Sequence, residues 1–233
     1  GGDGGGVDTQ MEQLAQSTLT GKKIEQGPET LYRYTFTHPQ MGTIFRLVFY
    51  TDQDSVAAAA VAARVFGRVD TLNAIFSDYL PESELNRLSD RAGNPEPVPV
   101  SAELEDILRH ARRYSKATDG AFDATVGALT RLWRRAFHFQ EMPDSARIAA
   151  ARSTVDWRNI RFRGPGCAQL ARRGTRLDLG GIAAGYAADE CLRLLRTAGI
   201  HRALVDAGGD IALGDAPPGA AGWRIEKPTL DPN

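Results

Sequence analysis

Residues 177–187 read L-D-L-G-G-I-A-A-G-Y-A, and this stretch limits the possible folds more tightly than any other. Leu177 and Leu179 flank Asp178 with strand-like alternation. Gly180, Gly181 and Gly185 then remove side chains where that strand must turn into a helix, expected over residues 186–198. Two readings fit. One is a tight strand-to-helix turn with a capping acid beside it; the other is an anion site on the free N–H groups of a helix N-terminus. The run is neither G-x-G-x-x-G nor a Walker A loop, so the usual nucleotide motifs do not choose between them.

Upstream, residues 160–163, 167–171 and 175–179 are expected to form a meander of short strands, with Gly164-Pro165-Gly166 and Arg173-Gly174 as turns. Downstream, residues 203–206 form a strand, Ala207-Gly208-Gly209-Asp210 a second glycine turn and residues 211–213 the return. Residues 223–226 are expected to add one more strand before Pro228 and Pro232 bracket the end.

Nearer the start, residues 31–37 and 43–50 alternate apolar and polar side chains and pair through His38-Pro39-Gln40-Met41-Gly42. Met41 thus sits at the mouth of a hairpin, either as a gap filler or surface residue or as a thioether suited to an adenine or flavin face. Asp54 or Ser55 caps an alanine-rich helix reaching about Phe76, with Val56, Val61, Val65, Val69 and Leu72 as its stripe. Phe76-Ser77-Asp78-Tyr79-Leu80-Pro81 is its exit loop. A short helix covers residues 83–89, and proline punctuates residues 92–99 as a connection. Ser101 caps an amphipathic helix whose Leu104, Ile107, Leu108 and Ala111 share a face and which ends near Thr118-Asp119-Gly120. Residues 125–137 also carry helical spacing, with Trp133 read as core, and Pro143 and Asp144 start a further helix. Helices and strands come in runs rather than in strict alternation, which favours α+β.

Composition excludes several functions. With 28 basic and 29 acidic residues the formal net charge is −1, so no global field favours nucleic acid or an anionic membrane. Arg131, Arg134 and Arg135 read as a solvated helix face. No apolar run reaches bilayer length, and no charged-then-apolar signal segment opens the chain. Cys167 and Cys191 lack disulfide-framework or metal-ligand spacing and read as reduced and structural. His38, His110, His138 and His201 are scattered singly, against a histidine metal site or triad.

Four acids stand beside glycine turns or bare backbone: Asp123, Asp178, Asp206 and Asp210. Singly, each reads as a cap or turn acceptor; together they point to a polar cleft. Carboxylates beside exposed amides suit a ligand carrying hydroxyl or amide groups and phosphates, with Mg²⁺ between acid and phosphate. No nucleophile–base pair for acyl transfer is visible. The residues alone lead to a nucleotide-like ligand, with or without a metal.

Five ordered motifs lead further. Met41-Gly42-Thr43, then Phe76-Ser77-Asp78-Tyr79-x-Pro81-x-Ser83-Glu84-Leu85, then Thr118-Asp119-Gly120-Ala121-Phe122-Asp123-x-Thr125-Val126-Gly127, then residues 177–186, then Val205-Asp206-Ala207-Gly208-Gly209-Asp210 resemble the ApbE family, FAD:protein FMN transferases once described as thiamine-biosynthesis lipoproteins. The resemblance runs from about Met41 to Trp223. It implies an α+β fold of the T-fold-like kind, with antiparallel sheets and packed helices. It also implies a Mg²⁺-dependent enzyme that cleaves FAD, attaches FMN through a phosphoester to a Ser or Thr of a target protein and releases AMP. By position, Met41, Tyr79, Ala121, Phe122 and Asp123 match flavin and adenosine contacts, Asp178 matches an FAD ligand, and Gly181 matches a backbone carbonyl near the metal. Ala184 falls where many members carry a Lys or Glu that contacts FAD, and so departs from the pattern. The resemblance assigns no catalytic base. Five glycines among residues 1–6 and the weak periodicity of the polar segment to about Gln26 are read as a flexible tail and short helix over residues 1–27, and the resemblance implies one flavin-binding domain over residues 28–233. That domain is expected to lack the family's final portion, where a His-containing motif, an Asp and a Thr or Ala complete the metal site. FAD and a Ser/Thr-bearing acceptor protein are the implied partners, without nucleic acid. Most members are bacterial envelope proteins, which implies a periplasmic location and contact with membrane only through a lipid anchor outside this chain.

Overall fold

The computed structural model describes residues 22–26 and 29–226. The expectations for the glycine-rich start and for Pro228 and Pro232 lie outside those residues. The chain forms two compact units: residues 1–69 with 187–233, and residues 70–186. Both mix antiparallel sheet with helices, so the fold is α+β.

The first unit is built on a five-stranded antiparallel sheet of order β1-β2-β3-β7-β8. Its strands are β1 (Lys22–Gln26), β2 (Glu29–Gln40), β3 (Thr43–Thr51), β7 (Ala203–Ala207) and β8 (Asp210–Leu213). Lys22–Gln26 lies within the segment expected to be tail and short helix, but it pairs with β2 as a strand. β3 lies between β2 and β7; on one face Phe45, Leu47 and Phe49 are excluded from solvent, and on the other Val48 and Tyr50 are buried while Ile44 and Arg46 are exposed. Each side chain excluded from solvent contributes about 1.5–3 kcal/mol of apolar burial. Helix α1 (Ser55–Phe76) starts where Asp54 Oδ1 accepts from Ala57 N at 2.9 Å. Within this unit it buries Ala58, Val61, Ala62, Val65, Phe66 and Val69 at helical spacing. Phe66 stacks on the His38 ring of β2 at 4.9 Å, so that histidine is a packing residue.

The second unit holds a three-stranded sheet of order β4-β6-β5, comprising β4 (Val98–Pro99), β5 (Ile160–Phe162) and β6 (Cys167–Leu170). β4 falls in the segment expected to be a mere connection. Around the sheet run α2 (Glu84–Asp90), α3 (Ala102–Ala117), α4 (Gly127–Phe139) and α5 (Ser145–Arg152). Ser83, Ser101 and Asp144 each cap a helix, as the residue types require. α3 turns Leu104, Ile107, Leu108 and Ala111 inward, all at most 1% exposed. Helix α6 (Ala183–Thr197) begins three residues earlier than expected, so Gly185 lies inside it rather than before it. Among the described residues no helix is long and apolar enough to cross a membrane.

Three expectations need correction. Residues 175–179 are not a third meander strand, because Arg176 makes a parallel bridge with Val126 and has no ladder with β6. Residues 223–226 are not a strand: Trp223 leans on the Tyr50 ring at 6.1 Å and donates its indole N–H to Asp215 O, and the backbone around it joins no ladder. Trp133 is not core. It is 46% exposed, and Gly127 is the buried residue of α4.

Candidate functional site

The organising contact of the second unit is an exchange between the loop that enters α4 and residues 176–178. Gly127 N donates to Arg176 O at 3.0 Å, and Asp178 N donates to Ala124 O at 2.8 Å. No side chain fits at position 127, since a Cβ there would stand 2.6 Å from the Arg176 carbonyl. Leu177 and Leu179 are each 1% exposed, which anchors Asp178 between them with its side chain half-buried. Asp178 Oδ1 accepts from Gly180 N at 2.8 Å, closing an Asx turn, and Ile182 N and Ala183 N both donate to Leu179 O as α6 begins.

The loop before α4 is fixed by its own polar groups. α3 ends at Thr118, and Asp119 and Gly120 take left-handed φ values of 51° and 80°. Thr118 Oγ1 accepts from Phe122 N at 3.1 Å, and Ala121 is exposed. The Phe122 ring meets Tyr114 edge-on at 6.1 Å and lies against Gly181, where a Cβ would approach it to 3.1 Å. Asp123 takes three donors from within the chain. Oδ1 accepts from Thr125 N at 2.8 Å and Thr125 Oγ1 at 2.6 Å, while Oδ2 accepts from Trp157 N at 3.0 Å. Thr125 Oγ1 accepts in turn from Asp156 N at 2.9 Å. The structure therefore gathers Ala121, Phe122, Asp123, Asp178 and Gly181 into one contiguous patch, with Ala184 half-buried in the first turn of α6.

Tyr79 belongs to the loop after α1. Ser77 Oγ accepts from Tyr79 N at 3.1 Å and Leu80 N at 3.3 Å. Asn86 Nδ2 donates to Asp78 O at 2.9 Å and Leu80 O at 2.7 Å. Asn86 Oδ1 accepts from Arg131 at 3.0 Å and from Arg176 at 3.2 Å, so this one buried amide ties the Tyr79 loop to the segment that carries Asp178. Tyr79, Asn86, Arg131, Arg134 and Arg176, with Asp78 and Asp90, line a cavity of about 340 Å³. Arg176 pairs with Asp90 and Arg134 with Asp78. Arg131 donates to Asn86 Oδ1, and burial first, then the neighbouring Arg176, holds its guanidinium below the usual range.

The sequence motifs end short of Asn86, Arg131 and Arg176. Asn86 sits in the middle of a short helix, where an amide looks like an ordinary surface residue; Arg131 belongs to a run read as a solvated helix face, and Arg176 stands just before the Leu177 motif. Only their nonlocal partners reveal them.

Met41 lies in the first unit. β2 and β3 join through Met41 and Gly42 alone, at φ values of 55° and 71°, the signature of a type I′ hairpin. Gly208 and Gly209 close β7 onto β8 with φ values of 63° and 104°. The two turns abut, because a Cβ on Gly208 would stand 2.1 Å from Thr43 Oγ1. Asp206 Oδ1 accepts from Gly209 N at 3.0 Å, and Arg46 stands 3.8 Å from its other oxygen. Asp206 thus serves its own turn, and Asp210 is exposed. The cysteines are free, and burial pushes the Cys191 thiol up to about 12.

Gly181, whose carbonyl the resemblance sets near the metal, is exposed at the turn before α6. Among the described residues no three of His, Cys, Asp and Glu come together to hold an ion. The described donors therefore do not by themselves fit a complete Mg²⁺ site, which needs about six oxygens.

Comparison with known proteins gives a consistent picture. The model of the ApbE family matches residues 41–232. The FAD:protein FMN transferase of Treponema pallidum (strain Nichols) is 31% identical over 195 residues, covering 81% of this chain and 54% of the relative. That of Klebsiella pneumoniae (strain 342) is 32% identical over 196 residues, covering 81% and 55%. A point mutant of the flavin transferase ApbE from Vibrio cholerae superposes with a TM-score of 0.74 at 27% identity, covering 84% of this chain and 68% of that one. The flavinyl transferase ApbE of Pseudomonas stutzeri, in its apo form, gives 0.74 at 26% identity, covering 86% and 63%. The chain spans about half the length of the curated relatives it matches.

Proposed function

Because the chain belongs to the ApbE family, we propose that it binds FAD and serves in transfer of FMN from FAD to an acceptor protein. The observation that carries this reading is the joining of separate motifs: Gly181 lies against Phe122, and Asp178 hydrogen-bonds through its backbone to Ala124. An exposed aromatic at Tyr79, an open backbone beside Asp178 and a cluster of guanidinium groups suit a ligand with planar rings and phosphates.

In the proposed reaction the acceptor's Ser or Thr hydroxyl oxygen attacks the FMN-side phosphorus of the pyrophosphate. A phosphoester forms, the bridging P–O bond breaks and AMP leaves, while the hydroxyl proton passes to a base not assigned among these residues. Mg²⁺, when bound, would neutralise charge on the pyrophosphate. Gly181 is the residue of this chain proposed beside it, with its other ligands coming from outside the described set. We place the protein in the bacterial envelope or periplasm, tethered through a lipid anchor.

The test is to titrate the chain with FAD and with FMN by flavin fluorescence, then to add Mg²⁺ and a Ser/Thr-bearing acceptor and weigh the products. FAD should bind more tightly than FMN, and the acceptor should gain one FMN. Equal or absent binding of the two flavins overturns the reading. Ala184 in place of a charged contact favours one alternative, a non-catalytic FAD-binding or flavin-delivery protein, which would bind FAD and give no increment. An FAD pyrophosphatase would release AMP with the acceptor unchanged.

A further inference from the structure

Tyr79 is 71% exposed, yet its setting is rigid. Ser77 and Asn86 hold the backbone on both sides of it. The ring itself carries the Arg134 guanidinium over one face, 3.9 Å from its centroid. That guanidinium is fixed by Asp78 Oδ2 at 3.0 Å, and the Asp78 side chain is only 11% exposed. Carboxylate, guanidinium and phenol ring thus form a chain of contacts, an ion pair followed by a cation over a ring, in which α4 reaches back to a loop 55 residues earlier in the chain. A cation held over one face of a ring leaves one face for a partner, and it removes the ring's rotational freedom before any ligand arrives.

We propose that Arg134 is a positioning residue that locks Tyr79 so that its outer face receives a planar aromatic ring of the ligand. This rests on the FAD reading above and names a residue that reading does not use. Because the guanidinium draws on the ring's π density, the outer face favours an electron-rich planar ring and disfavours a second cation. FAD offers two planar rings, adenine and isoalloxazine, and the experiment separates them.

Wild type, R134A, R134K, Y79A and the R134A/Y79A double variant would be titrated with FAD, FMN and AMP, with melting temperatures recorded for each. R134A should bind FAD about threefold to tenfold more weakly, chiefly through faster dissociation, and should also melt lower because the nearly buried Asp78 carboxylate loses its partner, so affinities are compared well below the melting temperature. R134K should recover part of the loss. Y79A should lose more, and adding R134A to it should lose nothing further, since the arginine acts through the ring. A loss seen with AMP places adenine on Tyr79, and one seen with FMN places the isoalloxazine there. R134A binding as tightly as wild type, a further loss in the Y79A background, or a loss carried by neither half of FAD overturns the proposal. If wild type binds none of the three, the FAD reading falls and this proposal with it, a result distinct from any that depends on Arg134.

Discussion

Asp123 and Asp178 stand on two segments that hydrogen-bond to each other through Ala124 and Arg176, and they use their carboxylates in opposite ways. Asp123 takes three donors from its own chain, on both oxygens. Asp178 takes one, from Gly180, on Oδ1. A carboxylate offers about four acceptor sites, so the first is nearly spent on folding and the second keeps capacity for a ligand. An acid beside a tight turn is therefore a cornerstone or a contact according to how many of its own amides reach it.

The sharpest way to break this contrast is Asp123→Ala. It leaves Thr125 N, Thr125 Oγ1 and Trp157 N without their acceptor and should cost about 2–4 kcal/mol of stability, read by denaturant unfolding. A loss below about 1 kcal/mol would return Asp123 to the ligand-contact role that its motif implies. Gly127→Ala tests the backbone exchange that aligns the two acids. Its Cβ would collide with the Arg176 carbonyl, and we expect about 1–3 kcal/mol of destabilisation together with weaker FAD binding. Unchanged stability would mean that the exchange tolerates displacement. Asp178→Asn should change stability by no more than about 0.5 kcal/mol, because an amide oxygen can still accept from Gly180 N, while FAD affinity falls. A stability loss as large as that of Asp123→Ala, with FAD affinity intact, would erase the difference between the two residues.

Local chemistry made much of this legible from the sequence. The Ser101 cap and the 104, 107, 108, 111 face locate α3, and the alternation of residues 31–37 and 43–50 locates the β2–β3 hairpin, though β2 runs on to Gln40 and the turn is Met41-Gly42 rather than residues 38–42. What stayed hidden depends on distant partners. The Leu177-Asp178-Leu179 alternation is real and both leucines are buried, but what the segment pairs with is a loop some fifty residues earlier, which no periodicity encodes. Helical spacing put Trp133 on an apolar face, yet spacing cannot say what covers that face. Arg134 belongs to an arginine run that looks solvated until Asp78 and Tyr79 are seen to hold it.

The hairpin at Met41 carries one further consequence. A methionine at a φ of 55° occupies a backbone region that glycine or asparagine fills with less strain, so most of the selective pressure toward ordinary stability runs against it. Position 41 is thus a place where two directed-evolution campaigns on the same library should diverge. Selection for heat resistance should enrich Gly and Asn there, and selection for retained flavin should keep the thioether.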